Sequence, residues 1–467
     1  MNSLRPGSLN WVSRVAVGLS ALGLAWLASA VSRTEAQPAA GEPDPIANFV
    51  VPAEASERPL PKVAIAPSLA PDMEDVTLQT VVRRDLELSG EFEVLPSSAA
   101  PEGAYEADKP LDPKAWKEKG AEVVVRVTGR KLKDGKAELW ARAYVLSGGA
   151  DPIFEKRFEV PTDRVRAESH YVSDQVIGAL TGTQGGFFSH MTFVSGTGSL
   201  RRVYTIDSDG FDAKPVSPAN QVAIAPAYGK DGELYWAGSV DKGDFKLYRA
   251  SEPEKAIPLN VRGSVYGLGF SRDFSQVAVS IGTVDTIKIF SGKSFDDLAE
   301  ASPVGMAFRP SFTWAGKLGF VGEGKFGQRV YLDGKPISPD GLMASSPTFC
   351  RHPDGNRVVF AVGVNKATDL VVAPETGGGL VRLTQNMGIN RAPACSPDGR
   401  LVAFFSTRTT GEGPGLYVMR LDGGRAKRVS TLLGDALRWD RLPPTKAIEK
   451  SGGARSAGGE QSPPEKK

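Results

Sequence analysis

The chain has 467 residues, enough for two or three domains, and 41% of them are hydrophobic, ample for packed cores. Its 52 Gly and 34 Pro favour a turn-rich β protein over a helical bundle. A net charge of +2 with 24% charged residues provides no field for nucleic acid or for an anionic membrane.

The first thirty residues read as a targeting segment. Arg5 and Arg14 make a basic opening, Val15 to Leu27 is a 13-residue apolar stretch, and Ala28-Ser29-Ala30 follows. This is the three-part pattern of a secretory signal, and it is short for a bilayer span. The alternative is an uncleaved membrane anchor. No Cys lies near the junction, which argues against a lipid-anchored N-terminus. The mature chain is then expected to start near Val31, exported and without a membrane span.

Residues 31–61 are rich in Pro, Ala and Glu, as expected of a flexible arm. "IANFVV" at 46–51 interrupts them with an apolar run of strand type. Ile46, Asn48, Phe49, Val50 and Val51 are therefore candidate partner-binding residues, as a strand added to a partner's sheet edge. The same run also reads as the first strand of the following domain.

Residues 62–184 read as a mixed α/β domain. "KVAIAP" is a predicted strand. "DVTLQTVVRRDLELSG" is a predicted helix, because Leu78, Val81, Val82 and Leu86 recur at three- and four-residue steps and Gly90 stops it. "EFEVLP" is a strand, and "DPKAWKEKG" a short helix with Pro113 in its first turn. Three further strands, "AEVVVRVTGRKL", "KAELWARAYVL" and "PIFEKRFEV", lead to a helix over "DRVRAESHYVSDQVIGALTG" that Gly182 ends.

From residue 185 to 442 the chain repeats itself. Ser396-Pro397-Asp398-Gly399 has the composition of a type I turn and precedes the burst "LVAFF". Similar turns precede bursts at Asp231, Asp273, Ala315 and Asp354, and the steps from Asp231 to Asp398 are 42, 42, 39 and 44 residues. A period near 42 with several strands per unit points to propeller blades. The bursts are apolar at consecutive positions, as expected when neighbours cover both sheet faces. An apolar or aromatic residue sits just before the turn at Tyr228, Phe270, Phe312 and Cys395. The first unit lacks its inner strand, and "ALRWDRL" at 436–442 lacks a following burst. The C-terminal strand is thus expected to complete the first sheet and close a ring of six blades. Residues 443–467 are polar, rich in Pro, Gly and Ser, and expected to be disordered.

Chemistry is sparse. The three His are His170, His190 and His352. His170 and Asp174 lie four apart on one helical face and could supply two metal ligands, but no third candidate is near in sequence, so no metal and no cofactor are assigned. There is no nucleophile elbow, no H-E-x-x-H, no Walker loop and no dinucleotide fingerprint in strand–helix context. "GEGKFG" at 322–327 reads as a hairpin loop. Asp207, Asp209, Asp354 and Asp398 fall in turns. Propeller peptidases need a hydrolase domain, and neither the α/β unit nor the 27 residues after Asp440 contain one. No catalytic residue is assigned and the protein is read as a non-enzyme. Cys350 and Cys395 fall in equivalent regions of successive repeats, so either a disulfide or two buried thiols is compatible with the sequence.

The layout of signal, small α/β domain and six-bladed propeller resembles the TolB family, the periplasmic component of the Tol–Pal envelope system. "DLELSGEFEVL" at 85–95 and "AWKEKGAEVVVRVTG" at 115–129 resemble family stretches. The most specific match is "SHYVSDQVIGALTGTQGGF" at 169–187, where His170, Ser173, Asp174, Leu180, Thr181, Gly182, Gly185 and Phe187 keep the family pattern and Ile177 and Gly178 depart from it. "DSDGFD" at 207–212 adds to it. The arm's sequence departs from the family's, as do the turn at "TWAGK" and the third blade at "SGKSFDDLAE". The resemblance implies a monomeric periplasmic scaffold. It would bind a Pal-like peptidoglycan-associated lipoprotein through the propeller face. It would bind a TolA-like inner-membrane protein through the arm, in support of outer-membrane integrity and constriction at division. The alternative is an exported propeller that binds or modifies a small ligand such as a glycan.

Overall fold

Each apolar burst that follows a predicted turn resolves into a strand. The computed structural model describes residues 46, 51–52, 59–68, 72–105, 109–364, 366–385 and 387–441. They form two compact units, one built from 60–87 and 91–188, the other from 189–441 with the N-terminal arm. The targeting segment and the C-terminal tail lie outside the described residues.

Strand β1 (Val51–Pro52) belongs to the propeller unit. The α/β unit opens with β2 (Lys62–Ile65), α1 (Met73–Ser89) and β3 (Glu93–Val94). It continues with α2 (Pro113–Glu118), β4 (Val123–Lys131), β5 (Lys136–Val145), β6 (Phe154–Pro161) and α3 (Val165–Thr181). The sheet order is β3-β2-β4-β5-β6, parallel across the first three strands and antiparallel across the rest. The predicted stripe of Leu78, Val81, Val82 and Leu86 is fully buried. The start of α1 approaches β4 so closely that a Cβ on Gly129 would lie 2.6 Å from the Glu74 carbonyl oxygen. Asp75 fixes this contact by accepting from the Gly129 N–H at 2.8 Å. Helix α2 starts as its sequence dictates: Asp112 accepts from the Lys114 and Ala115 N–H groups at 3.0 and 3.3 Å, with Pro113 at the first helical position.

The propeller has six sheets. The first holds β7 (Ser189–Ser195), β8 (Arg202–Asp207) and β9 (Lys214–Pro215). The second holds β10 (Gln221–Tyr228), β11 (Leu234–Val240), β12 (Lys246–Arg249) and β13 (Glu252–Ile257). The third holds β14 (Ser264–Phe270), β15 (Val277–Gly282), β16 (Ile287–Gly292) and β17 (Ala299–Glu300). The fourth holds β18 (Ala307–Phe312), β19 (Leu318–Gly324), β20 (Gly327–Leu332) and β21 (Lys335–Pro336). The fifth holds β22 (Ala344–Cys350), β23 (Arg357–Val364), β24 (Ala367–Pro374) and β25 (Val381–Arg382). The sixth holds β26 (Asn390–Cys395), β27 (Leu401–Ser406), β28 (Gly415–Arg420) and β29 (Lys427–Ser430).

The last strand, β30 (Asp435–Arg441), pairs antiparallel with β7 and is the innermost strand of the first sheet. The inner strands β10, β14, β18, β22, β26 and β30 contact one another in a closed cycle. Ring closure by the end of the folded chain therefore follows the expectation from sequence. All six residues of β27 are buried, which is why its apolar run is continuous rather than alternating. The turn glycine at 399, with φ of 75°, is also fixed by crowding, since a Cβ there would lie 1.9 Å from the Arg351 carbonyl oxygen of the neighbouring blade.

Candidate functional site

In the α/β unit the family-motif positions serve the backbone. Helix α3 ends at Gly182, left-handed at φ 82°, whose N–H reaches the Gly178 carbonyl. The Thr181 hydroxyl donates to the Ile177 carbonyl at 2.8 Å, and the Ser173 hydroxyl to the Ser169 carbonyl at 3.1 Å. Asp174 is buried, and its two carboxylate oxygens accept from the Phe187 and Phe188 N–H groups at 2.8 and 3.0 Å. The Gly185 N–H donates to the Asp174 carbonyl at 3.2 Å, and a Cβ on Gly185 would stand 2.4 Å from Asp174 Oδ1. Phe187 is fully buried. His170 points elsewhere, its Nδ1 lying 2.8 Å from Asp85 Oδ2 with both side chains buried. The pairing of His170 and Asp174 as neighbouring ligands, open from their spacing, is not how the two side chains are used. Of the other two His, His190 lies 3.2 Å from Asp207 and His352 3.8 Å from Asp354.

The described residues of the N-terminal arm, Ile46, Val51 and Pro52, lie on the propeller. Val51 and Pro52 pair in parallel with Val381 and Arg382, which makes β1 a fifth strand on the outer edge of the fifth blade. Ile46 is 1% exposed and packs among Val330, Leu342, Phe349, Phe360 and their neighbours, between the fourth and fifth blades. Of the predicted strand over 46–51, the described residues are Ile46, which sits in a turn, and Val51, which opens the strand Val51–Pro52. Asn48, Phe49 and Val50 lie outside the described residues.

A funnel opens where the inner strands end. Tyr228, Phe270 and Phe312 close β10, β14 and β18, and with Trp314, Phe349 and Trp439 they surround a cavity of about 170 Å³. Trp314 lies between two guanidiniums, Arg272 at 4.8 Å and Arg351 at 5.0 Å from its ring centre. Arg272 is also paired with Asp440 at 3.0 Å. The Tyr228 hydroxyl is buried and has no hydrogen-bond partner among the described residues. Burial and the nearby carboxylates of Asp440 and Asp207 push it well above the usual phenol range, so it stays a neutral donor. Cys350 and Cys395 end the adjacent strands β22 and β26 and form a disulfide, with Cα atoms 5.5 Å apart. Their equivalent places in successive repeats bring them within bridging reach near the axis. Aromatic faces, guanidiniums and one unsatisfied hydroxyl on a rigid rim are the groups that dominate protein-binding surfaces.

Sequence reasoning placed Tyr228, Phe270, Phe312 and Cys395 on the inner strands but did not gather Arg272, Trp314 and Asp440 beside them. A signal was present: Pro recurs two or three residues before the end of four inner strands, at Pro226, Pro310, Pro347 and Pro393. A proline tolerated inside a strand marks a bulge, and a bulge in each blade re-aims the residues that follow it.

The family model of the TolB amino-terminal domain matches residues 53–144. The crystal structure of TolB from Acinetobacter baumannii is matched with a TM-score of 0.65 at 19% identity, over 82% of this chain and 96% of that one. The chain thus resembles TolB in its amino-terminal domain and in its overall fold. A putative TolB from Agrobacterium tumefaciens is matched with a TM-score of 0.42 at 17% identity, over 53% of this chain and 89% of that one. The TolB-like match from the family model takes in the stretches at 85–95 and 115–129, whereas the stretch at 169–187 lies beyond it. No helix among the described residues is long and apolar enough to cross a membrane.

Proposed function

We propose that this TolB-like protein is a non-enzymatic periplasmic scaffold of the Tol–Pal type. Its propeller funnel receives a Pal-like peptidoglycan-associated lipoprotein, and its N-terminal arm is given to a TolA-like inner-membrane protein. The observation that carries the reading is the aromatic and arginine-rich funnel mouth, with Trp314 held between Arg272 and Arg351. A rigid ring can bury a partner's surface there without ordering its own backbone, so little conformational entropy opposes binding. The arm contributes the second half. Among the described residues, its contact with the propeller includes a two-residue strand and the buried Ile46 side chain, contacts for which a partner can compete.

Calorimetric titration with the soluble domain of the peptidoglycan-associated lipoprotein from the same organism tests this. Binding by the intact protein, weakened by Trp314→Ala, is the expected result. Absence of binding by the intact protein sinks the proposal. A glycan-binding propeller is the second reading, because the same aromatic rim can stack sugar rings. It is supported instead if muropeptide sugars bind and the lipoprotein does not.

A further inference from the structure

Every inner strand is bulged. The shifts fall between Ile224 and Ala227, Val265 and Gly267, Phe308 and Ser311, Ser345 and Thr348, Arg391 and Ala394, and Asp435 and Arg438. In five of the six a non-glycine residue is left-handed, with φ between 50° and 55° at Ala225, Arg309, Ser346, Ala392 and Ala436. Each such residue costs roughly 1–2 kcal/mol of backbone energy. The shifts fall at equivalent places around the axis, each beginning in the first half of its inner strand, away from the end that carries Tyr228, Phe270 and Phe312.

Four guanidiniums and one carboxylate meet there. Arg309 contacts Asp435 at 3.3 Å and donates to the Ser346 hydroxyl at 2.9 Å. Arg391 and Arg438 have backbone partners, the carbonyls of Gly434 and Leu437, each at 3.1 Å. The fourth, Arg201, stands at the start of β10, its carbonyl accepting from the Ala223 N–H at 2.9 Å. Its Nε is buried and has no hydrogen-bond partner among the described residues.

The electrostatics agree with the geometry. Burial alone would raise the Asp435 carboxyl, yet the charges of Arg309, Arg391 and Arg201 hold it well below the usual carboxylate range. Burial, with Arg309 beside it, depresses Arg438 to about 10, and Asp435 is the one group opposing that shift. Burial followed by the charges of Arg309 and Arg391 also lowers Arg201, again opposed by Asp435. Four cations against one anion leave a concentrated positive excess inside a half-buried channel, where like charges repel far more than in water.

We propose that this ring of Arg201, Arg309, Arg391 and Arg438 is a binding site for a small multivalent oxyanion of the phosphate or polycarboxylate class. Guanidinium forks match such oxyanions in geometry, and one bound dianion offsets most of the excess charge. The site does not depend on the lipoprotein reading, which rests on the aromatic mouth.

Calorimetry on the mature full chain tests the site, with inorganic phosphate and citrate titrated in parallel and sodium chloride at matched ionic strength as the control. Saturable one-to-one binding of either oxyanion is expected. Binding should weaken at least tenfold in the Arg391→Gln, Arg438→Gln double variant and tighten severalfold in Asp435→Asn, which removes the competing carboxylate. The proposal is overturned if neither oxyanion binds beyond the chloride control, or if the double variant binds as the parent does. Should circular dichroism find the double variant unfolded, Asp435→Asn decides alone, since an unchanged or weaker affinity there also overturns it.

Discussion

Trp439 donates its indole N–H to the Ser189 hydroxyl at 2.7 Å, joining residues 250 apart in sequence. The bond sits in the seam between the first and last strands of the propeller, and Trp439 is 8% exposed. The seam is reinforced by the Ser195 hydroxyl, which donates to the Leu433 carbonyl at 2.8 Å. Closure of the ring therefore rests on a few contacts that no local segment makes by itself. Trp439→Ala should destabilise the propeller by about 3–5 kcal/mol in urea unfolding, the range for removing a buried tryptophan. Truncation after Leu433 removes the whole strand and should abolish the cooperative transition. A truncated chain that still melts sharply would contradict the role given to the seam.

The disulfide between Cys350 and Cys395 closes a loop of 45 residues. Chain-entropy arguments assign such a loop about 4 kcal/mol. Treatment with a reductant, or the paired change Cys350→Ser and Cys395→Ser, should lower the midpoint of thermal unfolding while leaving the far-ultraviolet spectrum native. An unchanged midpoint would mean that packing of the fifth and sixth blades alone holds these strands.

Ile46 is a buried anchor of the arm. Ile46→Asp places a charge among Val330, Phe349 and Phe360, where it has no partner. Hydrogen exchange at residues 46 and 51 should accelerate strongly, with exchange in the blades unaffected. If the arm is given to a TolA-like partner, the same variant should bind that partner more tightly, because the competing self-contact is gone. Equal affinity in variant and parent would separate the arm's docking from partner capture.

Gly185 and Asp174 form a second local test. Gly185→Ala forces a methyl group to within 2.4 Å of a carboxylate oxygen that holds two backbone N–H groups. A loss of roughly 1–3 kcal/mol is expected, of the size seen for overpacking. Asp174→Asn should cost a similar amount, since one of its two acceptors becomes a donor facing an N–H group. A fully stable Gly185→Ala protein would mean that the loop from 182 to 187 shifts freely.

The funnel mouth is tested by its charge and surface. Trp314→Ala should leave the unfolding free energy within about 1 kcal/mol, since the residue lies at the rim. It should weaken the proposed lipoprotein complex by tenfold or more if the residue is a hot spot. Arg272→Ala should act alike and also remove one partner of Asp440, the guanidinium at 3.0 Å. Loss of folding together with binding in both variants would point to a structural duty for this cluster.

Much of this protein is written locally. Turn chemistry at Asp231, Asp273, Asp354 and Asp398, and the apolar bursts after each turn, determine the strands and their count, because a turn and a hairpin involve residues only a few positions apart. The spacing of Leu78, Val81, Val82 and Leu86 determines the buried face of α1 for the same reason. What only the tertiary structure decided is which side chains meet at the axis. Arg201 and Asp435 are 234 residues apart, and Cys350 reaches Cys395 only because equivalent strands of adjacent blades converge. The arm's return to the edge of β25 is likewise a long-range choice. Its apolar run could cover any free strand edge, and no local pattern says which edge of the closed ring offers a pocket for Ile46.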